Sequence, residues 1–129
     1  MINLLEHQTI ERAAIINISS LRSYAVGHKN AEYCLSKAGL SMMTRLFAVR
    51  LAPHGIGVYE ISPGAIDTEM IDSTRDYYTK ALADGAAPQR RLGQPEDIAR
   101  AVAAIARGDF PYSTGAVFHV DGGFHIHTL

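Results

Sequence analysis

Short apolar runs alternate with longer helical stretches along this chain, and that alternation leaves few folds open. Residues 13–18, Ala-Ala-Ile-Ile-Asn-Ile, form a nearly continuous apolar run of strand length, the pattern of a parallel strand covered on both faces. Ile56-Gly57-Val58-Tyr59-Glu60-Ile61 and a run at 116–120 repeat it. Between the first two, the periodicity predicts a helix over 31–52. Leu35, Ala38, Met42, Leu46 and Val49 form its apolar stripe, and Pro53 and Gly55 end it. Residues 2–9 read as the tail of another helix, and 70–90 as one or two short ones. Pro95 then opens a helix with Glu96 and Asp97 in its first turn, which carries Ile98, Ala101, Val102 and Ile105 and stops near Gly108. The sum is α/β: β-α-β-α-β with right-handed crossovers, a three-stranded parallel piece of a doubly wound sheet.

One constellation on this frame carries chemistry. Tyr33 and Lys37 are four residues apart on the predicted helix, so they share a face. An ammonium beside a phenol favours the phenolate and readies the hydroxyl for proton transfer. Ser20 lies thirteen residues before Tyr33, just past the end of the first strand, where open α/β sheets place their chemistry. Its hydroxyl is suited to hydrogen-bonding the oxygen that gains or loses the proton. The bare Tyr-x-x-x-Lys spacing arises by chance on many helices. The ordered set of strand-end serine, loop and helical pair is what raises it.

Composition excludes several classes. At 129 residues the chain is long enough for one domain, 1–129, burying roughly 65% of its unfolded surface. A net charge of −1 and the lack of a Lys/Arg run give no footprint for nucleic acid. No apolar stretch approaches the ~18 residues of a membrane span, and Met1–His7 has neither the basic start nor the apolar run of a signal peptide. The lone Cys34 excludes an internal disulfide and fits a reducing cytoplasm; beside Tyr33 it reads as buried filler rather than a nucleophile. His125-Ile126-His127 offers two metal ligands without a third, an ordinary tail, so no metal site is expected. Arg90-Arg91 reads as a solvated pair, and Gly55-Ile56-Gly57 as a helix stop and turn.

Five segments, in order, resemble the short-chain dehydrogenase/reductase family. They are Asn17-Ile18-Ser19-Ser20, Tyr33-Cys34-Leu35-Ser36-Lys37-Ala38-Gly39, Pro63 through Met70, Arg91 through Ala99, and Thr114-Gly115 with Val120-Asp121-Gly122-Gly123. The nearest flavour is the 3-oxoacyl-(acyl-carrier-protein) reductase branch. The resemblance implies a Rossmann-type fold and an NAD(P)-dependent oxidoreductase that moves hydride between nicotinamide and a carbonyl or alcohol substrate, with NADP slightly ahead of NAD. It makes Tyr33 the acid/base, Lys37 its assistant and a ligand of the nicotinamide ribose, and Ser20 the substrate-orienting serine. Pro63, Gly64 and Thr68 would lie against the nicotinamide end, with the Ile66 backbone facing the carboxamide. Tyr77 and Tyr78 fall in the family's substrate lid.

Nothing in the chain corresponds to the family's N-terminal half. No glycine-rich strand–turn–helix is present to take a pyrophosphate, and Asn3 stands too close to Ser20 to match the family's catalytic asparagine. The expectation is therefore the C-terminal half of the fold. Its first strand would keep an open edge that invites self-association or a complementary partner. The resemblance also implies a homo-oligomer through the 31–52 helix, over Met42, Met43, Leu46 and Phe47. The other reading of the chain is a non-catalytic fragment or interaction module.

Overall fold

The computed structural model describes residues 13–27 and 30–126, so the expected helix tail at 2–9, Asn3 and His127 lie outside the described residues. Three strands, β1 (Ala14–Ile18), β2 (Gly57–Pro63) and β3 (Val117–Val120), form one parallel sheet in the order β1-β2-β3. Helix α1 (Ala31–Leu51) joins β1 to β2. A 3₁₀ stretch (Glu69–Thr74), α2 (Arg75–Ala83) and α3 (Pro95–Arg107) lie between β2 and β3. The strands and helices follow the expected order, and β2 runs two residues further than Ile61.

The period of two along each strand sends alternate side chains to opposite faces, and the central strand β2 is covered on both. On one face Val58 packs with Ala48 and Leu51 of α1 and with Ile56, flanked by Ile15 and Phe47. On the other, Tyr59 and Ile61 pack with Ile105 of α3, flanked by Ile16, Ile98, Val102 and Phe118. Val58 and Ile61 are completely buried, which contributes about 1.5–3 kcal/mol for each side chain. The Tyr59 hydroxyl donates to the Phe110 carbonyl at 2.9 Å, so this buried phenol keeps a partner.

The ladder is completed from the last loop. Thr114 Oγ1 accepts the Val58 N–H at 3.0 Å, and the Gly115 N–H donates to the Val58 carbonyl at 2.6 Å. The Thr114-Gly115 pair thus continues β3 by one rung. After α1, a short 3₁₀ turn ends at Gly55, whose φ of 69° suits a residue without a Cβ. The reading of Gly55-Ile56-Gly57 as a stop and turn holds.

One expectation needs correction. Residues 13–18 are not covered along their whole length: Ala14 is exposed and Ile18 is 40% exposed, because β1 is paired on the β2 edge alone among the described residues. The stripe on α1 does not face the sheet. Leu35, Met42, Leu46 and Val49 are 51–79% exposed, whereas the buried positions are Thr44, Ala48 and Leu51. The sheet-facing side of α1 is partly polar, and the Asn17 amide donates to Thr44 Oγ1 at 2.9 Å.

Candidate active site

The sheet brings the ends of β1 and β2 side by side, and the sequence-identified residues gather there. The Ser19 N–H donates to the Ile61 carbonyl at 2.8 Å, which holds the end of β1 against β2. Ser20 follows and caps a short 3₁₀ turn over Leu21–Ser23, its Oγ accepting the Arg22 N–H at 3.1 Å. That contact uses a lone pair and not the hydroxyl proton. Tyr33 sits in the first turn of α1, half-buried. Lys37 lies one turn on, its Nζ 5.6 Å from the Tyr33 ring centroid and 3.0 Å from the Ile18 carbonyl, to which it donates. The lysine is therefore tied to the strand end that carries Ser20.

Beneath these groups is a buried polar brace that sequence reading missed. Glu60, 2% exposed in the middle of β2, accepts through one carboxylate oxygen from the hydroxyls of Ser19 and Ser41, the latter at 2.6 Å. Ser41 is one helical turn beyond Lys37, so Glu60 couples the end of β1 to the face of α1 that bears the pair. The available signal was a lone carboxylate in an otherwise apolar strand run.

The turn after β2 forms the facing wall. The Gly64 N–H donates to the Val120 carbonyl at 3.1 Å, and a Cβ at Gly64 would come within 2.8 Å of the Asp121 backbone. Only glycine permits that approach. The Gly93 N–H donates to the Ala65 carbonyl at 2.9 Å and the Asp67 N–H to the Gly93 carbonyl at 2.8 Å, fixing Ile66 between them. Arg75 pairs with Asp67 and with Asp72, the latter at 2.6 Å, and reaches the Thr68 carbonyl at 3.2 Å. This clasp on the Thr68 segment was also not legible in sequence.

Ser20, Tyr33, Pro63, Gly64, Ile66 and Thr68 line one cleft of about 1130 Å³. Tyr77 and Tyr78 line it too, their rings edge-to-face at 5.3 Å, and Arg22 donates to the Tyr78 hydroxyl at 3.2 Å. Arg91 is exposed, as the reading of a solvated pair expects, and is also paired. It forms a two-pronged pair with Asp97 at 2.8 and 3.3 Å at the start of α3, and with the Gln94 N–H it holds that carboxyl down at about 2. Near the end of β3, burial and the Asp121 carboxylate push the Tyr24 phenol up from its ordinary value.

The arrangement is a doubly wound α/β sheet with a serine, a tyrosine and a lysine at its strand ends. A family model described as enoyl-(acyl carrier protein) reductase matches residues 1–125. The 3-oxoacyl-(acyl-carrier-protein) reductase of Rickettsia bellii is 41% identical over 109 residues, covering 84% of this chain and 45% of that protein. Glucose 1-dehydrogenase 2 of Bacillus subtilis is 34% identical over 113 residues, covering 88% of this chain and 44% of that protein. The crystal structure of the 3-oxoacyl-(acyl carrier protein) reductase from Brucella melitensis in complex with NAD superposes with a TM-score of 0.93 at 36% identity, covering 98% of this chain and 50% of that one.

The chain belongs to the short-chain dehydrogenase/reductase family, and its fold is the C-terminal half of that family's Rossmann-type sheet. It spans about half the length of the curated relatives it matches.

Proposed function

We infer that these residues form the proton-transfer half of an NAD(P)-dependent oxidoreductase acting on a small carbonyl or alcohol substrate, a 3-oxoacyl thioester being the favoured class. The observation that carries this reading is the gathering of Ser20, Tyr33 and the Pro63–Thr68 turn around one cleft, with Lys37 anchored behind them. Similarity to the Rickettsia and Brucella 3-oxoacyl reductases supports the substrate class.

The residues present fit one end of a nicotinamide cofactor. Tyr33, Lys37, Pro63, Gly64, Ile66 and Thr68 would hold the nicotinamide and its ribose. Among the described residues no glycine-rich turn joins a strand to a helix start, so none of them holds the pyrophosphate end. When bound, the cofactor supplies the hydride.

The rest of the work falls to the chain's own side chains. Ser20 donates its free hydroxyl proton to the substrate oxygen and fixes it near Tyr33. Tyr33 gives its phenolic proton to that oxygen in reduction and takes it back in oxidation. Lys37, positively charged one turn away, stabilises the phenolate left behind and is held in place by the Ile18 carbonyl. The compartment we assign is the cytoplasm, resting on the single Cys34. No described helix is long and apolar enough to cross a membrane.

A second reading, an interaction module, is favoured by one observation: the exposed apolar face of α1 from Leu35 to Val49. A homo-oligomer through that face is compatible with either reading. The test is a titration of NADPH and NADH into the purified chain, read by reduced-nicotinamide fluorescence. Saturable micromolar binding, with turnover of a 3-oxoacyl thioester lost in Tyr33→Phe, supports the oxidoreductase. A folded chain that binds neither nucleotide leaves the interaction module standing, unless the same chain joined to a glycine-rich half binds nucleotide and turns over substrate.

A further inference from the structure

A group of side chains outside the Ser20–Tyr33–Lys37 set meets at the end of β3. One ring nitrogen of His119, one of His125 and one carboxylate oxygen of Asp121 all lie within 4.8 Å of one another. The two imidazoles stack, with centroids 4.1 Å apart and planes 18° from parallel. Asp121 is the fixed member: its side chain is 2% exposed, and it accepts the N–H groups of Gly123 and His125, each at 2.9 Å. His125 Nδ1 lies 2.8 Å from the same carboxylate, while His119 is exposed and only loosely held, its Nδ1 3.4 Å from the Tyr24 hydroxyl. All three line a second cavity, of about 380 Å³, through which an ion has access.

We propose that His119, Asp121 and His125 form a binding site for a zinc-class divalent cation. Two imidazoles and one carboxylate are a donor set that such ions accept, with water in the remaining position. Zinc–nitrogen bonds of about 2.0–2.1 Å place tetrahedral ligand atoms about 3.3 Å apart, closer than the present 4.8 Å limit. The exposed His119 ring closes that gap by swinging off its stacking partner, giving up the long contact to Tyr24. Asp121 stays where the two backbone amides hold it. The bound ion would tie the turn after β3 to the strand. The three ligands are none of the residues assigned to proton transfer or to the nicotinamide, although His125 also lines the Ser20–Tyr33 cleft.

The test uses the full, untagged chain stripped of metal with a chelator, titrated with cobalt(II) or zinc(II) chloride near neutral pH. One equivalent of cobalt(II) should bind with the visible absorption of a four- or five-coordinate ion. His119→Ala and His125→Ala should each weaken it at least 100-fold, while His54→Ala and His127→Ala leave it unchanged. Zinc should shift the imidazole proton resonances of His119 and His125 in the unmutated chain, a readout that needs no variant to fold. No saturable binding, binding indifferent to His119→Ala with those resonances unmoved, or binding abolished by His127→Ala would each overturn the proposal.

Discussion

Glu60 is a single carboxylate in a strand whose neighbours are apolar, and its two serine partners explain why it is tolerated there. Removing the acceptor leaves the half-buried Ser41 hydroxyl without its partner and the buried Ser19 hydroxyl with only the longer contact to the Ile61 carbonyl at 3.3 Å, a loss of about 1–3 kcal/mol for buried polar groups. Glu60→Ala should lower stability to urea by that order, whereas Glu60→Gln, which keeps an acceptor oxygen in place, should lose less. Asp97 makes a pH prediction. Its carboxyl lies at about 2 in the folded chain, held down by Arg91 and then by the Gln94 N–H, against an ordinary value near 3.8. A depressed folded value means that the contribution is complete above the unfolded pKa and is lost as pH falls through about 2. Acid unfolding followed by circular dichroism should show this loss between about pH 4 and pH 2, and Asp97→Asn should flatten the profile within that window. Tyr33, Lys37 and Ser20 were legible at this scale because their relation rests on local spacing. His119, Asp121 and His125 were not, because their meeting depends on the turn after β3. In the sequence His125 stands near His127, which lies outside the described residues.

The order of strands and helices could be read from the alternation of apolar runs, and the stops at Gly55 and Gly108 from local turn chemistry. What periodicity did not reveal is which side of α1 meets the sheet. The helix has one apolar stripe and one mixed face, and the mixed face wins because Thr44 and Ser41 find buried partners in Asn17 and Glu60. The apolar stripe is left outside. A contiguous exposed run of Leu35, Met42, Leu46 and Val49 on a 21-residue helix is of the kind that pairs with a second surface. Sedimentation of the chain should therefore show concentration-dependent association. Leu46→Glu with Val49→Lys should abolish it with little loss of monomer stability, since both side chains are already solvent-exposed. A monomer at all concentrations would contradict this assignment.

Across the described residues, the serine, tyrosine and lysine sit on a sheet whose β1 is paired on the β2 edge alone, in a chain that spans about half the length of the curated relatives it matches. Among the described residues no strand pairs with the outer edge of β1 and none forms a pyrophosphate turn, and a glycine-rich strand–turn–helix half seated beside β1 would answer both. On the function proposed above, the described residues are a competent chemical half of such a site. The measurement to make joins this chain to the half of the Brucella melitensis reductase that it does not cover and follows NADPH or NADH consumption with a 3-oxoacyl thioester. The account expects turnover that Tyr33→Phe lowers at least 100-fold without loss of nucleotide binding. A folded, nucleotide-binding chimaera that reduces nothing, or one whose rate ignores Tyr33→Phe, would contradict it.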